Sequence, residues 1–241
     1  KKSVSSAKSA DIRRNLRTSE KSADERKDIA GEEKKSADER KKSADPSGRY
    51  TRPMSTRDRV AALLKDMPSE PQYATQCATL FVDLERQQSA EAYTPLAVAR
   101  ALIGGRGANM YYLYRLLDES RSPLDPDVPL IFGSGPLTGL VPSAARGNCT
   151  SWAPDSGVLM DTNAGDYFPS FIRMNGYDHI VLYGRAAAWT LLVIRDGCLE
   201  FREAAPYVGM NNIDMRAAVA RDLGGVWKRN MSMVNITRAG E

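Results

Sequence analysis

Alternating hydrophobic and polar positions predict a series of short strands from about residue 76 onward. Brief runs of apolar, β-branched and aromatic residues are typical of strands, because these side chains pack well on a pleated, half-buried surface. The predicted strands are 79–84, 129–132, 157–161, 179–183, 189–195, 198–202 and 231–236. Asp196-Gly197 lies between two of them and predicts a two-residue hairpin turn, since both residue types tolerate positive φ.

Apolar residues three and four positions apart predict helices before and between these strands. The predicted helices are 56–67, 95–103, 107–117, 167–174 and 213–223. Thr94 is the predicted N-cap of the second helix, which Gly104-Gly105 ends. The predicted core-facing residues are Val60, Leu63, Leu64 and Met67 in the first helix and Met110, Leu113, Tyr114 and Leu117 in the third. One clear hairpin among short strands and interspersed helices indicates an α+β fold.

The first 49 residues differ in composition from the rest of the chain. The heptapeptide KSADERK occurs at 21–27 and again at 35–41, and shorter copies begin at Lys8 and Lys42. The segment carries 15 lysines and arginines against 10 aspartates and glutamates, a net charge of +5, whereas the whole chain carries +4. So few large apolar residues cannot bury a face, and we predict a disordered tail at 1–49. Its mixed signs argue against nucleic-acid binding, because acidic neighbours weaken the field that attracts phosphates.

The remaining sequence divides into a linker with one short helix at 50–75 and a folded domain at 76–241. Three widely separated cysteines, Cys77, Cys149 and Cys198, form no CxxC pair, so this chain by itself predicts neither a zinc site nor an iron–sulfur site. No apolar run has the length of a membrane span, and the N-terminus is charged rather than signal-like. We therefore expect a cytoplasmic protein without a membrane partner.

The candidate chemistry lies in the glycine-rich stretch that follows residue 130. The strand at 129–132 is followed by GSGPLTG at 133–139 and then by Arg146, and the strand at 157–161 is followed by TNAG at 162–165, just before a predicted helix. Small residues before a helix leave amide N–H groups available to an anion, and arginine adds a bidentate donor for phosphate. Neither GxxxxGK[ST] nor GxGxxG is present, so no ordinary nucleotide fingerprint applies, and plain turns remain the alternative.

The order and spacing of these motifs match a known family. GPLTG at 135–139 is followed by Arg146, by Asn163 and Gly165, by a helix that starts Tyr-Phe, and by Gly-Tyr-Asp at 176–178. The stretch resembles the N-terminal domain of the tungsten-containing aldehyde ferredoxin oxidoreductases, and the likeness covers about residues 79–241. The resemblance implies an α+β domain with two similar mixed or antiparallel β-sheets and short flanking helices, on which a cofactor rests.

The resemblance also implies a tungstopterin or molybdopterin cofactor and roles for three residues. Arg146 matches the arginine that lies between the pterin and an iron–sulfur cluster, and Gly165 matches a glycine where the backbone meets the cofactor. Asn163 matches the asparagine whose backbone carbonyl helps hold a magnesium ion that bridges the pterin phosphates. The implied reaction oxidises an aldehyde to a carboxylic acid and passes electrons through the cluster to ferredoxin. The ordinary alternatives are a surface ion pair, a turn residue and a plain glycine before a helix.

Two positions depart from the family pattern. Ala144-Ala145 stands where Gly-Gly is common before the arginine, and Asp166 stands where a second glycine is usual. A carboxylate at that place repels a phosphate unless magnesium or Arg146 screens it.

In the family, cluster binding and acid–base catalysis are expected outside this domain. The cluster cysteines and the acid–base residues lie in later segments, so we expect the iron–sulfur cluster on the remaining domains or on a partner subunit. We expect no catalytic residue in this chain, and no aldehyde oxidation by the chain alone. His179, the single histidine, is interpreted as a packing or surface residue. The alternative function is a non-enzymatic binding or assembly protein that retains the domain fold.

Overall fold

The computed structural model describes residues 54–236, in which eight strands form a six-stranded and a two-stranded sheet. The strands of the large sheet are β1 (Ala78–Asp83), β2 (Gln88–Ala92), β3 (Leu130–Ser134), β4 (Gly147–Trp152), β5 (Leu159–Ala164) and β6 (Tyr177–Tyr183), in the spatial order β2-β1-β6-β3-β4-β5. Within this sheet, β1 and β6 are parallel and all other neighbours are antiparallel. The small sheet is the hairpin of β7 (Thr190–Arg195) and β8 (Cys198–Glu203).

Five α-helices accompany the strands. They are α1 (Thr56–Asp66), α2 (Leu96–Leu102), α3 (Gly105–Leu116), α4 (Phe168–Met174) and α5 (Asn212–Leu223). The predicted α+β class is therefore confirmed, as are all five predicted helices, and the two sheets have six and two strands. The Asp196-Gly197 turn is confirmed with φ values of 50° and 78°. No helix between residues 54 and 236 is long and apolar enough to cross a membrane.

The hydrophobic core lies on both faces of the large sheet. Phe81 of β1 faces a cluster that includes Tyr112 and Leu116 of α3, together with Val60 and other residues of α1. Its neighbours on β1, Leu80 and Val82, face a second cluster with Ile172 of α4 and residues of the β7–β8 hairpin. Because β1 is buried on both faces, its central residues Leu80-Phe81-Val82 form a continuous apolar run rather than an alternating pattern. The helix in the predicted linker contributes side chains to the same core.

Two strands were missed, and two strand predictions differ from the structure. The strands β2 and β4 were not predicted, because their sequences QSAEA and GNCTSW consist largely of small and polar residues. The prediction for β5 was displaced, since residues 162–164, which we interpreted as a turn, continue the strand. The strand predicted at 231–236 was wrong, because the described part of this segment forms one isolated bridge, between Met231 and Trp227. Pairing with apolar neighbours stabilises strands whose own sequences favour them weakly.

Two details of the helix predictions were wrong. Thr94 does not cap α2, because its hydroxyl lies 2.7 Å from the hydroxyl of buried Tyr112. The buried face of α3 consists of Gly105, Ala108, Asn109, Tyr112, Leu113 and Leu116. Of the predicted stripe only Leu113 is fully buried, while Tyr114 is 84% exposed. The buried face was placed wrongly on α3 because a polar residue, Asn109, occupies its centre.

Asn109 is the centre of a buried polar network between α3 and the sheet. Its side-chain nitrogen lies 3.2 Å from the Asn148 backbone carbonyl oxygen and 3.3 Å from the Thr150 hydroxyl, both on β4. The Asn109 Oδ1 therefore points to His179 Nδ1 of β6, at 2.8 Å, and this ring nitrogen must carry the proton. Gly133 of β3 lies against both side chains, and the close approach of α3 to the sheet depends on its missing Cβ.

His179 makes the stability of this network depend on pH. Burial, assisted by the positive charge of Arg173, lowers the pKa of His179 to about 3 from its usual 6.5. Below pH 6.5 the unfolded chain binds a proton at this position that the folded chain does not bind. The free energy of unfolding should therefore decrease by about 1.4 kcal/mol per pH unit as the pH falls from 6.5 towards 3.

His179→Gln tests this expectation, because an amide can still donate to Asn109 and does not titrate. Between pH 7 and pH 5, urea unfolding should show a loss of stability that is roughly 2 kcal/mol larger in the wild type than in the variant. The carboxylates are common to both proteins and cancel in the comparison. Identical pH profiles would show that His179 is not held neutral.

Candidate functional site

The candidate site lies at the end of the β4–β5 pair, where β5 forms one edge of the large sheet. Gly147, the first residue of β4, is opposite Ala164, the last residue of β5. This register brings Arg146 next to Gly165. A Cβ on Gly165 would lie 3.8–3.9 Å from three atoms of the Arg146 guanidinium. Two of the three residues predicted from the sequence are therefore adjacent.

Asn163, the third predicted residue, lies inside β5 rather than in a turn. It is opposite Asn148, whose side-chain nitrogen donates a hydrogen bond to Asn163 Oδ1 at 3.3 Å. The side-chain oxygen of Asn163 is thus already used within the fold. The interpretation of Asn163 as a turn residue with positive φ was wrong, and its backbone, at the sheet edge, is the part through which a ligand contact is expected.

In the turn after β5, Asp166 has a left-handed backbone conformation with φ of 69°. Glycine adopts this conformation without steric cost, whereas most other residues avoid it. The carboxylate of Asp166 pairs with Lys228, with 3.2 Å between Oδ1 and Nζ. Lys228 also lies 5.6 Å from the ring centroid of Tyr167. The screening of Asp166 therefore comes from a lysine in the segment after α5, which the sequence did not indicate.

Arg146 is the cation of this site that has no acidic partner in the described part of the chain. Its side chain is exposed, and none of the ion pairs between residues 54 and 236 includes it. The neighbouring Arg106, at the start of α3, is instead paired with Asp161 of β5 at 2.7 Å. Residues 103–104 join the two helices, since α2 ends at Leu102 and α3 begins at Gly105, two positions before the predicted start. An exposed guanidinium without a carboxylate partner is suited to an external anion.

Helix α4 does not provide the amide donors that the sequence suggested. It has seven residues and begins at Phe168, three positions after Gly165. Pro169 in its first turn has no N–H group, and its ring packs against Gly147, where an added Cβ would lie 2.6 Å from the proline Cγ. The turn at Gly165 therefore does not lead directly into the N-terminus of α4, and the exposed donor here is the side chain of Arg146.

A buried ion pair fixes α4 behind the site. Arg173, near the end of α4, pairs with Asp178 of β6 and also donates to the Thr75 carbonyl oxygen at 2.8 Å. Asp178 accepts a further hydrogen bond from the Cys77 amide at 2.8 Å. Burial raises the pKa of Asp178, and both Arg173 and the Cys77 amide oppose that rise. These contacts join the end of α4 to β6 and to the segment just before β1.

Other candidate groups show no sign of metal binding in the described residues. Between residues 54 and 236 no three His, Cys, Asp or Glu side chains lie together in a way that could hold a metal ion. Cys77, Cys149 and Cys198 are free thiols, and burial raises the pKa of Cys149 to about 11. A thiol whose pKa is raised by burial, such as that of Cys149, and a buried neutral histidine are typical of structural residues.

Comparison with known proteins identifies the family. The family described as "Aldehyde ferredoxin oxidoreductase, N-terminal domain" matches residues 79–241. The chain belongs to this family. The tungsten-containing aldehyde ferredoxin oxidoreductase of Pyrococcus furiosus is 31% identical over 145 residues, and that of Thermococcus kodakarensis is 30% identical over 145 residues. The "Aliphatic sulfonate oxidoreductase, WOR-like subunit" of Pyrococcus furiosus is 29% identical over 154 residues. This aldehyde ferredoxin oxidoreductase domain is therefore of an oxidoreductase type.

The matches cover most of this domain but a small part of the relatives. They span 60–63% of this chain and 24% of each of these three relatives. A solved structure, the active-site complex BamBC of benzoyl coenzyme A reductase with 1,5-dienoyl-CoA, superimposes with a TM-score of 0.60 at 22% identity. This match covers 62% of our chain and 24% of that one. The likeness shows a shared fold, and it supports the two-sheet architecture.

Proposed function

We propose that this domain binds a tungstopterin or molybdopterin cofactor and its magnesium ion as one part of an aldehyde:ferredoxin oxidoreductase. The observation that carries the proposal is that the Arg146 guanidinium lies beside Gly165 at the end of the β4–β5 pair. The two residues come from segments separated in sequence, and the strand register brings together the two positions that the family resemblance singles out.

The residues of the site fit the phosphates of such a cofactor. Arg146 is exposed, has no acidic partner among residues 54–236, and presents a planar fork that binds two phosphate oxygens at once. Gly165 has no side chain, so the space beside the guanidinium stays open. The Asn163 side chain is bonded to Asn148, which leaves its backbone carbonyl as the group for magnesium. Oxygen ligands of this kind are those that magnesium prefers.

The chain's own role in the reaction is binding and positioning. The bound metal–pterin group would supply the two-electron chemistry that converts an aldehyde to a carboxylic acid. Arg146 would neutralise phosphate charge, and the β5 edge with Gly165 would set the distance between the backbone and the cofactor. The chain spans about a quarter of the relatives' length, so the iron–sulfur cluster, the acid–base residues and the ferredoxin contact are proposed to lie on other domains or on a partner subunit.

Metal and pterin analysis of the protein purified from its native cells tests this function. We expect tungsten or molybdenum together with a pterin, in a complex that contains the remaining domains. A chain recovered without metal or pterin, but bound to another protein, would overturn the proposal and favour a binding or assembly role. Aldehyde-dependent viologen reduction should require the complex and should be absent from the isolated chain.

Arg146 should matter more for cofactor retention than Asn163. Arg146→Ala removes charge-assisted hydrogen bonds that each contribute roughly 1.5–3 kcal/mol, so the affinity should fall about tenfold or more. Asn163→Ala removes one side-chain contact to Asn148 and leaves the backbone carbonyl in place, so a smaller effect is expected. The measurement is metal content per chain after identical purification of the complex. Full metal content in Arg146→Ala with loss in Asn163→Ala would reverse the assigned roles.

A further inference from the structure

Two cations flank two consecutive residues at the end of β5. Arg146 lies beside Gly165, and Lys228 pairs with Asp166. Without Lys228, the charges of Arg146 and Asp166 would cancel, and the turn would not attract an anion. With Lys228 included, the three side chains carry a net charge of +1. The position where this chain replaces the family's usual glycine by a carboxylate thus also has a compensating lysine.

The pair between Lys228 and Asp166 is open to exchange. The Lys228 side chain is 49% exposed and that of Asp166 is 44% exposed. Surface ion pairs contribute little to stability, because water and salt screen them. A phosphate group carries more negative charge than a carboxylate and offers several acceptor oxygens, so it competes effectively for the same ammonium group.

The backbone around Lys228 holds its side chain over the turn. Lys228 has a left-handed backbone with φ of 64°, and its amide donates to the Met231 carbonyl oxygen at 2.9 Å. The adjacent Trp227 ring stacks with the guanidinium of Arg216 of α5, 3.9 Å from the ring centroid. The ammonium group also lies near the Tyr167 ring. These contacts keep Lys228 at the site when Asp166 no longer holds it.

We propose that Lys228 is a second phosphate-binding residue of this site, paired with Asp166 in the free chain and donating to a phosphate oxygen when the cofactor binds. This inference rests on the proposed function, because the phosphates are those of the pterin cofactor. Arg146 and Lys228 would then hold the phosphates from two sides of the Gly165–Asp166 turn. Asp166 would act as a competitor that lowers affinity and releases Lys228 on binding.

Calorimetric titration of the folded chain with magnesium pyrophosphate at low salt tests the inference. Lys228→Met should weaken binding roughly tenfold, as expected for the loss of one charge-assisted hydrogen bond. Asp166→Asn should strengthen binding several-fold, because Lys228 is no longer shared. The double variant Lys228→Met/Asp166→Asn should bind more weakly than Asp166→Asn alone. Lys65→Met is the matched control, since Lys65 is the other lysine between residues 54 and 236 and lies in α1.

The double variant distinguishes two roles of Lys228, donation to a phosphate and neutralisation of Asp166. If Lys228 only neutralises Asp166, removal of both charges will give the same affinity as Asp166→Asn, and the inference fails. Absence of pyrophosphate binding by the wild type also overturns it, while metal and pterin in the native complex would still support the proposed function. Lys228→Arg should retain most of the binding, and the thermal unfolding of each variant confirms that it is folded.

Discussion

Replacing Gly133 by alanine is expected to destabilise the domain by about 3 kcal/mol or more. The added Cβ would lie 2.3 Å from Asn109 Oδ1 and 2.6 Å from His179 Nδ1. Neither side chain can move freely, because Asn109 is bonded to β4 and His179 is fully buried. Overpacking of a core costs typically 1–3 kcal/mol, and here the Asn109–His179 hydrogen bond would be lost as well. Urea unfolding at pH 7 measures the effect.

Gly135→Ala is a matched control two residues further along the chain. Its added Cβ would meet only the Thr138 hydroxyl within 4 Å, at an ordinary contact distance of 3.5 Å, and Gly135 has no positive φ. We expect its free energy of unfolding to stay within about 1 kcal/mol of the wild type. Equal losses in the two variants would mean that the approach of α3 to β3 does not depend on the missing side chain.

Removal of the Arg173 guanidinium should produce a loss of similar or greater size. Arg173→Met leaves the Asp178 carboxylate buried without its cation, and unpaired buried charges cost roughly 3–5 kcal/mol. Without Arg173 the pKa of Asp178 should rise further, because burial already raises it and the main opposing charge is gone. The loss should therefore be largest at pH 8 and smaller at pH 5, where the carboxyl group takes up a proton.

Two further variants distinguish the buried pair from general loss of charge. The double variant Arg173→Met/Asp178→Asn should recover part of the stability, because the unpaired charge is removed together with its partner. Arg202→Met breaks the exposed pair with Glu200 and should cost less than about 1 kcal/mol. A loss in Arg173→Met that is independent of pH would show that Asp178 is not the group left uncompensated.

The sequence predicted the parts of the fold whose own residues favour them. β1 was found because both of its faces are buried and its centre is the apolar run Leu80-Phe81-Val82, and the Asp196-Gly197 hairpin because its residue types tolerate the positive φ of the turn. β4 was missed, because the segment GNCTSW favours no regular structure without its neighbours β3 and β5. The same reason explains why the α3 stripe was misplaced around polar Asn109.

The sequence predicted which residues form the candidate site but not how they are arranged. Arg146, Asn163 and Gly165 were identified through a family resemblance, while the proximity of Arg146 to Gly165 depends on the register between β4 and β5. That register could not be derived without the prediction of β4. Lys228 could not be found at all, because no sequence pattern links a lysine after α5 to a turn before α4. Long-range pairing of this kind is visible only after the chain has folded.

The parallel pairing of β1 with β6 sets the order of events during synthesis. Thr79 of β1 is aligned with His179 of β6, and β6 lies between β1 and β3 in the sheet. A contact between segments so far apart in sequence forms late, and folds dominated by such contacts fold slowly. The fully buried strand β1 emerges from the ribosome long before β6 exists to cover it. We therefore expect β1 to be vulnerable to aggregation until residue 183 has been synthesised.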